Sequence, residues 1–277
     1  MDAFVGEIAI SFFGRSNITA IRDTLSEDVI VFLVDNTPGL MRLQRTNCTE
    51  QQNAIVKEIR DLMLFNGRAN LVNDAAWEDG LTILQWAVDA GDNAIVELLV
   101  SIPGVDVNVF YRPLTPLELA VYSCNAGIIE MFGNSPGIVV EKKVQTPLII
   151  AAEIGRTESV EALLKYAAGR LRVNAQDAIN MTALHWAARY GHSRIVELLL
   201  DYPGIAVNSR NRKGQTPLHI AAAFGHVEVV ALLLAFRSVY VNLRDDTGRT
   251  ALDWANNQKR YRVTRLLQSH VTVIGKK

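Results

Sequence analysis

The stretch from Gly214 to Leu234, GQTPLHIAAAFGHVEVVALLL, contains the signals that decide how this chain folds. Thr216 suits a helix N-cap, because its hydroxyl can accept a hydrogen bond from a first-turn N–H. Pro217 suits the first helical position, where no N–H is needed, and Gly225 suits the left-handed residue that ends a helix. The run VVALLL then places an apolar face at helical spacing. The stretch therefore predicts a helix–turn–helix unit.

The six-residue motif Thr-Pro-Leu-His-Ile-Ala, which begins at Thr216 and is called the phrase below, recurs with variations at a nearly constant interval along the chain. The steps between successive threonines are 33, 31, 36, 34 and 34 residues. A period near this length is typical of stacked helical repeats, in which each unit buries its apolar face against its neighbours. We number the repeats one to six by the threonines that begin them: Thr82, Thr115, Thr146, Thr182, Thr216 and Thr250.

Several independent spacings agree among the repeats. A glycine stands nine residues after four of the threonines, Pro-Gly begins 21 residues after three of them, and Val-Asn follows in most repeats. This pattern resembles the ankyrin repeat, and repeat five matches it almost position for position. The resemblance implies an all-α ankyrin-repeat solenoid of about six clear repeats, with degenerate capping repeats at the N-terminal end. Thin first helices and the loops before each threonine, here called fingers, would then line a concave side.

The sequence divides into three parts. Residues 75–270 are predicted to form the repeat array, and residues 271–277 a tail. Residues 1–74 lack a clear phrase, and we interpret them as degenerate capping repeats, because Asn-Ala-Ile-Val occurs both there and in repeat one. The alternative is a small separate helical or α/β segment. The polar helix Lys259 to Gln268 is predicted to be a solvated cap, although its basic cluster could instead bind an acidic partner.

The composition favours a cytoplasmic protein. A formal charge of −1 gives no general attraction to nucleic acid or to anionic membranes. Two cysteines, Cys48 and Cys124, do not make a disulfide framework and suit a reducing compartment. The N-terminus lacks the basic region and cleavage site of a secretory signal, and no apolar stretch has the length of a membrane span. The features are also compatible with ankyrin-repeat effectors that bacteria deliver into a host cytoplasm.

Few side chains could support catalysis. His185 and His219 occupy the fourth position of the phrase, and His192 and His226 follow the predicted helix-ending glycine. All four resemble structural positions of the ankyrin repeat, which leaves no histidine to activate either cysteine. Metal-binding spacings and a phosphate loop are also missing from the sequence. We therefore predict no catalytic residue, no metal and no cofactor; the alternative is an effector or enzyme whose activity lies in the N-terminal segment, with the repeats as a targeting arm.

The resemblance implies that a partner protein binds the finger tips and the exposed positions of the first helices. In this chain those positions combine aromatic or aliphatic side chains with basic ones, which are common anchors of interfaces. We expect a monomer whose partner is a protein, with an acidic segment and hydrophobic anchors, rather than nucleic acid or membrane. The predicted partner-binding residues are Tyr111, Arg112, Tyr122, Lys142, Lys143, Ile154, Ile179, Met181, Arg189, Tyr190, Arg212, Lys213, Phe224 and Arg249.

Overall fold

The computed structural model describes residues 82–89, 91–101, 104–108, 114–135, 137–138, 146–166 and 170–274. The chain divides into two compact units, residues 1–138 and residues 139–277. The predicted capping repeats, or separate segment, in residues 1–74 lie outside the described residues.

The described residues form twelve α-helices, two for each of the six repeats. None of these helices has both the length and the apolar character needed to cross a bilayer. The helices of the first unit are α1 Ile83–Asp89, α2 Asn93–Ser101, α3 Pro116–Tyr122 and α4 Ala126–Asn134. Those of the second unit are α5 Pro147–Ile154, α6 Thr157–Tyr166, α7 Ala183–Tyr190, α8 Ser193–Asp201, α9 Pro217–Phe224, α10 Val227–Ala235, α11 Ala251–Asn257 and α12 Tyr261–Ile274.

The first helix of each repeat begins at the threonine of the phrase. The hydroxyls of Thr115, Thr146, Thr182 and Thr250 accept a hydrogen bond from the N–H three residues later, at 3.2–3.4 Å. Proline occupies the first turn of α3, α5 and α9. The predicted N-terminal ends of these helices are therefore confirmed.

The first helices end in a left-handed backbone conformation. In the second unit this residue is Gly155, Gly191 or Gly225, with φ of 76°, 76° and 86°. Cys124 in repeat two and Lys259 in repeat six adopt the same conformation without being glycine, at φ 57° and 54°. Cys124 thus stands where the other repeats have a helix-ending glycine, and its side chain is half-buried.

Helices of successive repeats pack side by side within each unit. In the second unit the first helices α5, α7, α9 and α11 form one row, and the second helices α6, α8, α10 and α12 form another. Pairs such as Ala187–Ala188 are fully buried in the first row, while Leu199 and Leu233 fill the space between the rows. The first unit repeats this arrangement, with α1 against α3 and α2 against α4. The fold is all-α, as predicted.

Two asparagines of the Val-Asn pairs tie one repeat to the next. The Asn174 amide donates to the Gly204 carbonyl at 2.8 Å, and its side-chain oxygen accepts from the Ala206 N–H at 2.8 Å. Asn208 makes the same pair of bonds to the following turn. These two asparagines hold the turns of successive repeats in register.

Candidate protein-binding cleft

One side chain holds each of the fingers of repeats four, five and six in shape. Asp177, Asn211 and Asp245 are spaced 34 residues apart. The Oδ1 atom of each accepts hydrogen bonds from the N–H groups two and four residues later, at 2.8–3.0 Å. The N–H of each residue also donates to the carbonyl four residues on. The tips of these fingers are consequently closed turns that present their side chains outward.

Two of these finger residues also bind a tryptophan. The Trp186 indole N–H donates to Asp177 at 2.8 Å, and the Trp254 indole to Asp245 at 2.8 Å. Burial alone would raise the pKa of Asp245, but hydrogen bonds from Thr247, the Arg249 N–H and Trp254 outweigh it and lower that pKa to about 2. Both tryptophans are half-buried. Aspartate followed nine residues later by tryptophan was the sequence signal for this contact.

The histidines of the phrase join a helix start to the next finger. Nδ1 of His185 accepts from the Thr182 N–H at 3.1 Å, and Nε2 lies 3.1 Å from the Gln215 carbonyl. His219 makes the same contacts one repeat later. Burial lowers the pKa of His185 to about 4, which keeps the ring neutral. These histidines are structural, as predicted.

The histidines after the helix-ending glycines point back to the previous repeat. Nε2 of His226 lies 2.9 Å from the Arg189 carbonyl, and Nε2 of His192 lies 3.4 Å from the Glu153 carbonyl. Both rings therefore cover the exposed end of a preceding first helix. Over the described part of the chain, no three His, Cys, Asp or Glu side chains are grouped so as to hold a metal ion.

A cleft of about 630 Å³ opens in the second unit between the fingers and first helices of repeats four to six. Its volume lies within the range of ligand-binding pockets, roughly 300–1,000 Å³. Buried Met181 and Ile220 form its base, while Ile179 and Phe224 are 46% and 42% exposed at its edge. The lining residues are Ile179, Met181, Arg189, Asn211, Arg212, Lys213, Gln215, Ile220, Ala223, Phe224, Trp254, Gln258 and Arg260.

The charges that line this cleft all have one sign. Four of the lining side chains are cations, and none is a carboxylate. The nearby Asp246 is already paired with Arg210 at 3.2 Å, and neither Arg212 nor Lys213 has an ion-pair partner among the described residues. Cations and exposed apolar side chains therefore lie side by side along this cleft.

Arg189 lies among aromatic rings at the end of α7. Its guanidinium carbon is 4.8 Å from the centre of the Phe224 ring, and 5.8 and 5.9 Å from those of Trp186 and Tyr190. Tyr190 in turn stacks on Trp186 at 5.9 Å. Each such contact is worth about 0.5–1 kcal/mol at an exposed site. The rings thus restrict the position of a charged side chain that borders the cleft.

The structure brings together five of the predicted partner-binding residues with exposed side chains: Ile179, Arg189, Arg212, Lys213 and Phe224 line one cleft. Tyr190, 48% exposed, is not a lining residue but lies beside one, since its ring centre is 5.9 Å from the Arg189 guanidinium carbon. Arg249 lies over the Trp254 ring and is not a lining residue either. Of the other predicted residues, Ile154 and Tyr122 are exposed at the ends of α5 and α3 and are not lining residues. Tyr111, Arg112, Lys142 and Lys143 lie outside the described residues.

The prediction that Met181 is an exposed contact residue is wrong. Only 3% of the residue is accessible, because its carbonyl closes the finger and its sulfur packs 3.8 Å from Asn211 of the next finger. Trp254 and Arg260, which complete the cleft from repeat six, were not predicted from the sequence.

Family models match most of the repeat region. A model described as "Ankyrin repeats (3 copies)" matches residues 128–211 and 203–275, and one described as "Ankyrin repeat" matches residues 79–110. The chain belongs to the ankyrin-repeat family. Ankyrin repeats are modules for protein–protein interaction, and the family is generally non-enzymatic.

Several relatives share the repeats but are much longer proteins. The chain is 33% identical over 148 residues to alpha-latrotoxin-Lg1a of Latrodectus geometricus, which covers 51% of this chain and 10% of the toxin. It is 34% identical over 124 residues to Rabankyrin-5 of Mus musculus, covering 45% of this chain and 9% of that protein. It is 42% identical over 69 residues to the ARF GTPase-activating protein Git of Drosophila melanogaster, covering 25% of this chain and 9% of that protein. The ankyrin matches thus span about a tenth of each relative.

Proposed function

We propose that this ankyrin-repeat chain is a non-enzymatic, monomeric module of the cytoplasm. It binds an acidic segment of a partner protein, with hydrophobic anchors, on the face made by the finger tips and first helices. The observation that carries this proposal is the cleft of repeats four to six, where exposed apolar side chains adjoin four cations and no carboxylate.

The two kinds of side chain would do different work. Covering apolar surface contributes about 25 cal/mol per Å², and aromatic residues near the centre of an interface are frequent energetic anchors. Phe224 and Tyr190 are suited to that role, since each is nearly half exposed. The exposed cations Arg212 and Lys213 would raise the association rate of an acidic segment and exclude basic ones.

The proposal can be tested by selecting binders from short random peptides displayed on phage. Such a library contains segments of every charge and hydrophobicity, and all of them compete for the cleft. The purified chain is expected to enrich peptides that combine Asp or Glu with a large apolar side chain. Binding of a synthetic selected peptide, measured by fluorescence anisotropy, should weaken as salt rises, because exposed charges are screened.

A double variant checks the location of the site. Tyr190→Ala with Phe224→Ala should leave the helical circular dichroism unchanged and weaken peptide binding by about tenfold to a hundredfold. The matched control is Tyr240→Ala with Tyr261→Ala, since these tyrosines are 65% and 75% exposed but do not line the cleft. Selected peptides without acidic residues, or equal binding by the cleft variant and wild type, would contradict the proposal.

A further inference from the structure

We infer that Arg189 is the residue that selects a carboxylate of the partner, in preference to an amide of the same shape. This inference rests on the proposed function and assigns its chemical specificity to one side chain. Arg189 lines the cleft at the end of α7, where it is exposed to solvent.

The Arg189 guanidinium is already held in place before a ligand arrives. It packs 4.8 Å from the centre of the Phe224 ring, with Trp186 and Tyr190 also within 6 Å. The backbone is fixed as well, because its carbonyl lies 2.9 Å from His226 Nε2. Long side chains lose considerable rotamer entropy when a complex forms, and a side chain that is already restricted loses less.

The donors of Arg189 remain available to a ligand. Stacking engages the faces of a guanidinium, while its N–H groups point outward in the plane of the group. No carboxylate of the described residues forms an ion pair with Arg189. Two parallel N–H groups match the two oxygens of a carboxylate, and such bidentate contacts are roughly twice as strong as neutral hydrogen bonds.

Two other exposed cations of the cleft lack this support, and the fourth, Arg260, already donates from Nε to the Ala223 carbonyl at 3.1 Å. Arg212 and Lys213 stand at the tip of a finger, and no aromatic ring in the described residues packs on either. They supply a positive charge, which lysine can supply as well as arginine. They do not supply two parallel N–H donors held in one orientation. The same Arg-to-Lys substitution therefore has different expected consequences at residues 189 and 212.

The experiment compares two substitutions that both preserve charge. An acidic peptide selected as above is paired with versions in which each Asp or Glu is replaced by Asn or Gln. Wild type should bind the acidic peptide more tightly than its amide versions. Arg189→Lys should lower the affinity for the acidic peptide by about tenfold. At one peptide position, this variant should also bind the carboxylate and the amide version equally well. Arg212→Lys should change both affinities by less than about twofold. Equal thermal melting of the three proteins checks that they remain folded.

The possible results separate this inference from the proposed function. The role of Arg189 would be overturned if Arg189→Lys kept the preference for the acidic peptide over its amide versions. Equal losses of affinity in Arg189→Lys and Arg212→Lys would also overturn it. Neither result would contradict the binding of acidic peptides itself. Loss of the preference in Arg189→Lys alone would support it. Selected peptides without carboxylates would overturn the proposed function and this inference together.

Discussion

Repeats four and five of the second unit differ from repeat six in how they use the same positions of the phrase. In repeat four, Nε2 of His185 lies 3.1 Å from the Gln215 carbonyl in the following finger, and His219 of repeat five makes the equivalent contact. Repeat six has Asp253 at this position. Its carboxylate accepts from the Thr250 N–H at 2.9 Å and, within the described residues, reaches no further finger.

Contacts directed to the previous repeat are kept in all three. His226 of repeat five lies 2.9 Å from the Arg189 carbonyl, and Arg260 of repeat six donates to the Ala223 carbonyl at 3.1 Å. The fourth residue of the phrase therefore has two separable roles: it caps its own helix, and in repeats four and five it also bonds to the next finger. Capping of the helix is local and survives in every repeat, whereas the forward bond depends on a neighbouring repeat to receive it.

The helix-ending residue shows the same distinction. A Cβ added to Gly191 would lie 2.5 Å from Nδ1 of His226 in the next repeat. Lys259 of repeat six has the same left-handed backbone and carries a full side chain. Glycine is thus favoured at Gly191 for two reasons, the backbone conformation and the His226 ring of the next repeat, and within the described residues only the first applies at Lys259.

The largest effect is expected from Gly191→Ala, which breaks both requirements at once. The left-handed conformation costs about 1–2 kcal/mol for a residue with a Cβ. Displacing the His226 ring adds an overpacking cost of about 1–3 kcal/mol. The smaller freedom of alanine in the unfolded chain offsets roughly 0.5–1 kcal/mol, so we expect the free energy of unfolding, measured by urea denaturation, to fall by about 2–4 kcal/mol.

Gly204→Ala separates the two costs. Gly204 has φ 80°, but nothing lies within 4 Å of its added Cβ. Its alanine variant should lose only the backbone part, a net of about 0.5–1 kcal/mol once the smaller freedom of alanine in the unfolded chain is included. Equal losses at Gly191 and Gly204 would show that the His226 contact does not require the glycine.

Acidification should disrupt the cap that His185 provides in repeat four, because a proton on Nδ1 removes the acceptor of the Thr182 N–H. Burial holds the pKa of His185 at about 4, below its ordinary value of 6.5. The unfolded chain therefore binds this proton more readily, so stability is full above pH 6.5 and falls as the pH drops towards 4. The expected loss from this histidine is about 2–3 kcal/mol, measured as the change in unfolding free energy between the two pH values.

The chain supplies its own control for this titration. In repeat one, Gln85 accepts from the Thr82 N–H at 3.1 Å and donates to the Leu114 carbonyl at 3.2 Å, which reproduces the histidine contacts without a titrating ring. His185→Gln should therefore show a smaller loss of stability between neutral pH and pH 4 than wild type. An identical pH profile for the two proteins would exclude His185 as the source.

The sequence could predict those parts of the fold that depend on neighbouring residues in the chain. Thr182 and Gly191 mark the ends of α7 because capping and left-handed geometry are local properties. The exposure of Ile179 and Phe224 followed from their positions in the repeat.

Contacts between repeats were harder to predict because they join residues about one period apart. Met181 is buried by Asn211 of the next finger, and the Arg189 side chain is placed by Phe224 of the next first helix. The cleft is completed by Trp254 and Arg260 from repeat six. A pattern read one repeat at a time gives the position of a side chain, but not what the adjacent repeat places over it.

The smallest expected effect is a gain in stability from Lys259→Gly. Glycine relieves about 1–2 kcal/mol of left-handed strain, while the greater freedom of glycine in the unfolded chain offsets roughly 0.5–1 kcal/mol of this. We expect a net gain of about 0.5–1 kcal/mol, seen as a small rise in Tm. Lys259→Ala keeps the Cβ while removing the charge and should give no such gain. If Tm rose similarly in both variants, the gain would come from removal of the Lys259 charge. The left-handed backbone of residue 259 would then not favour glycine.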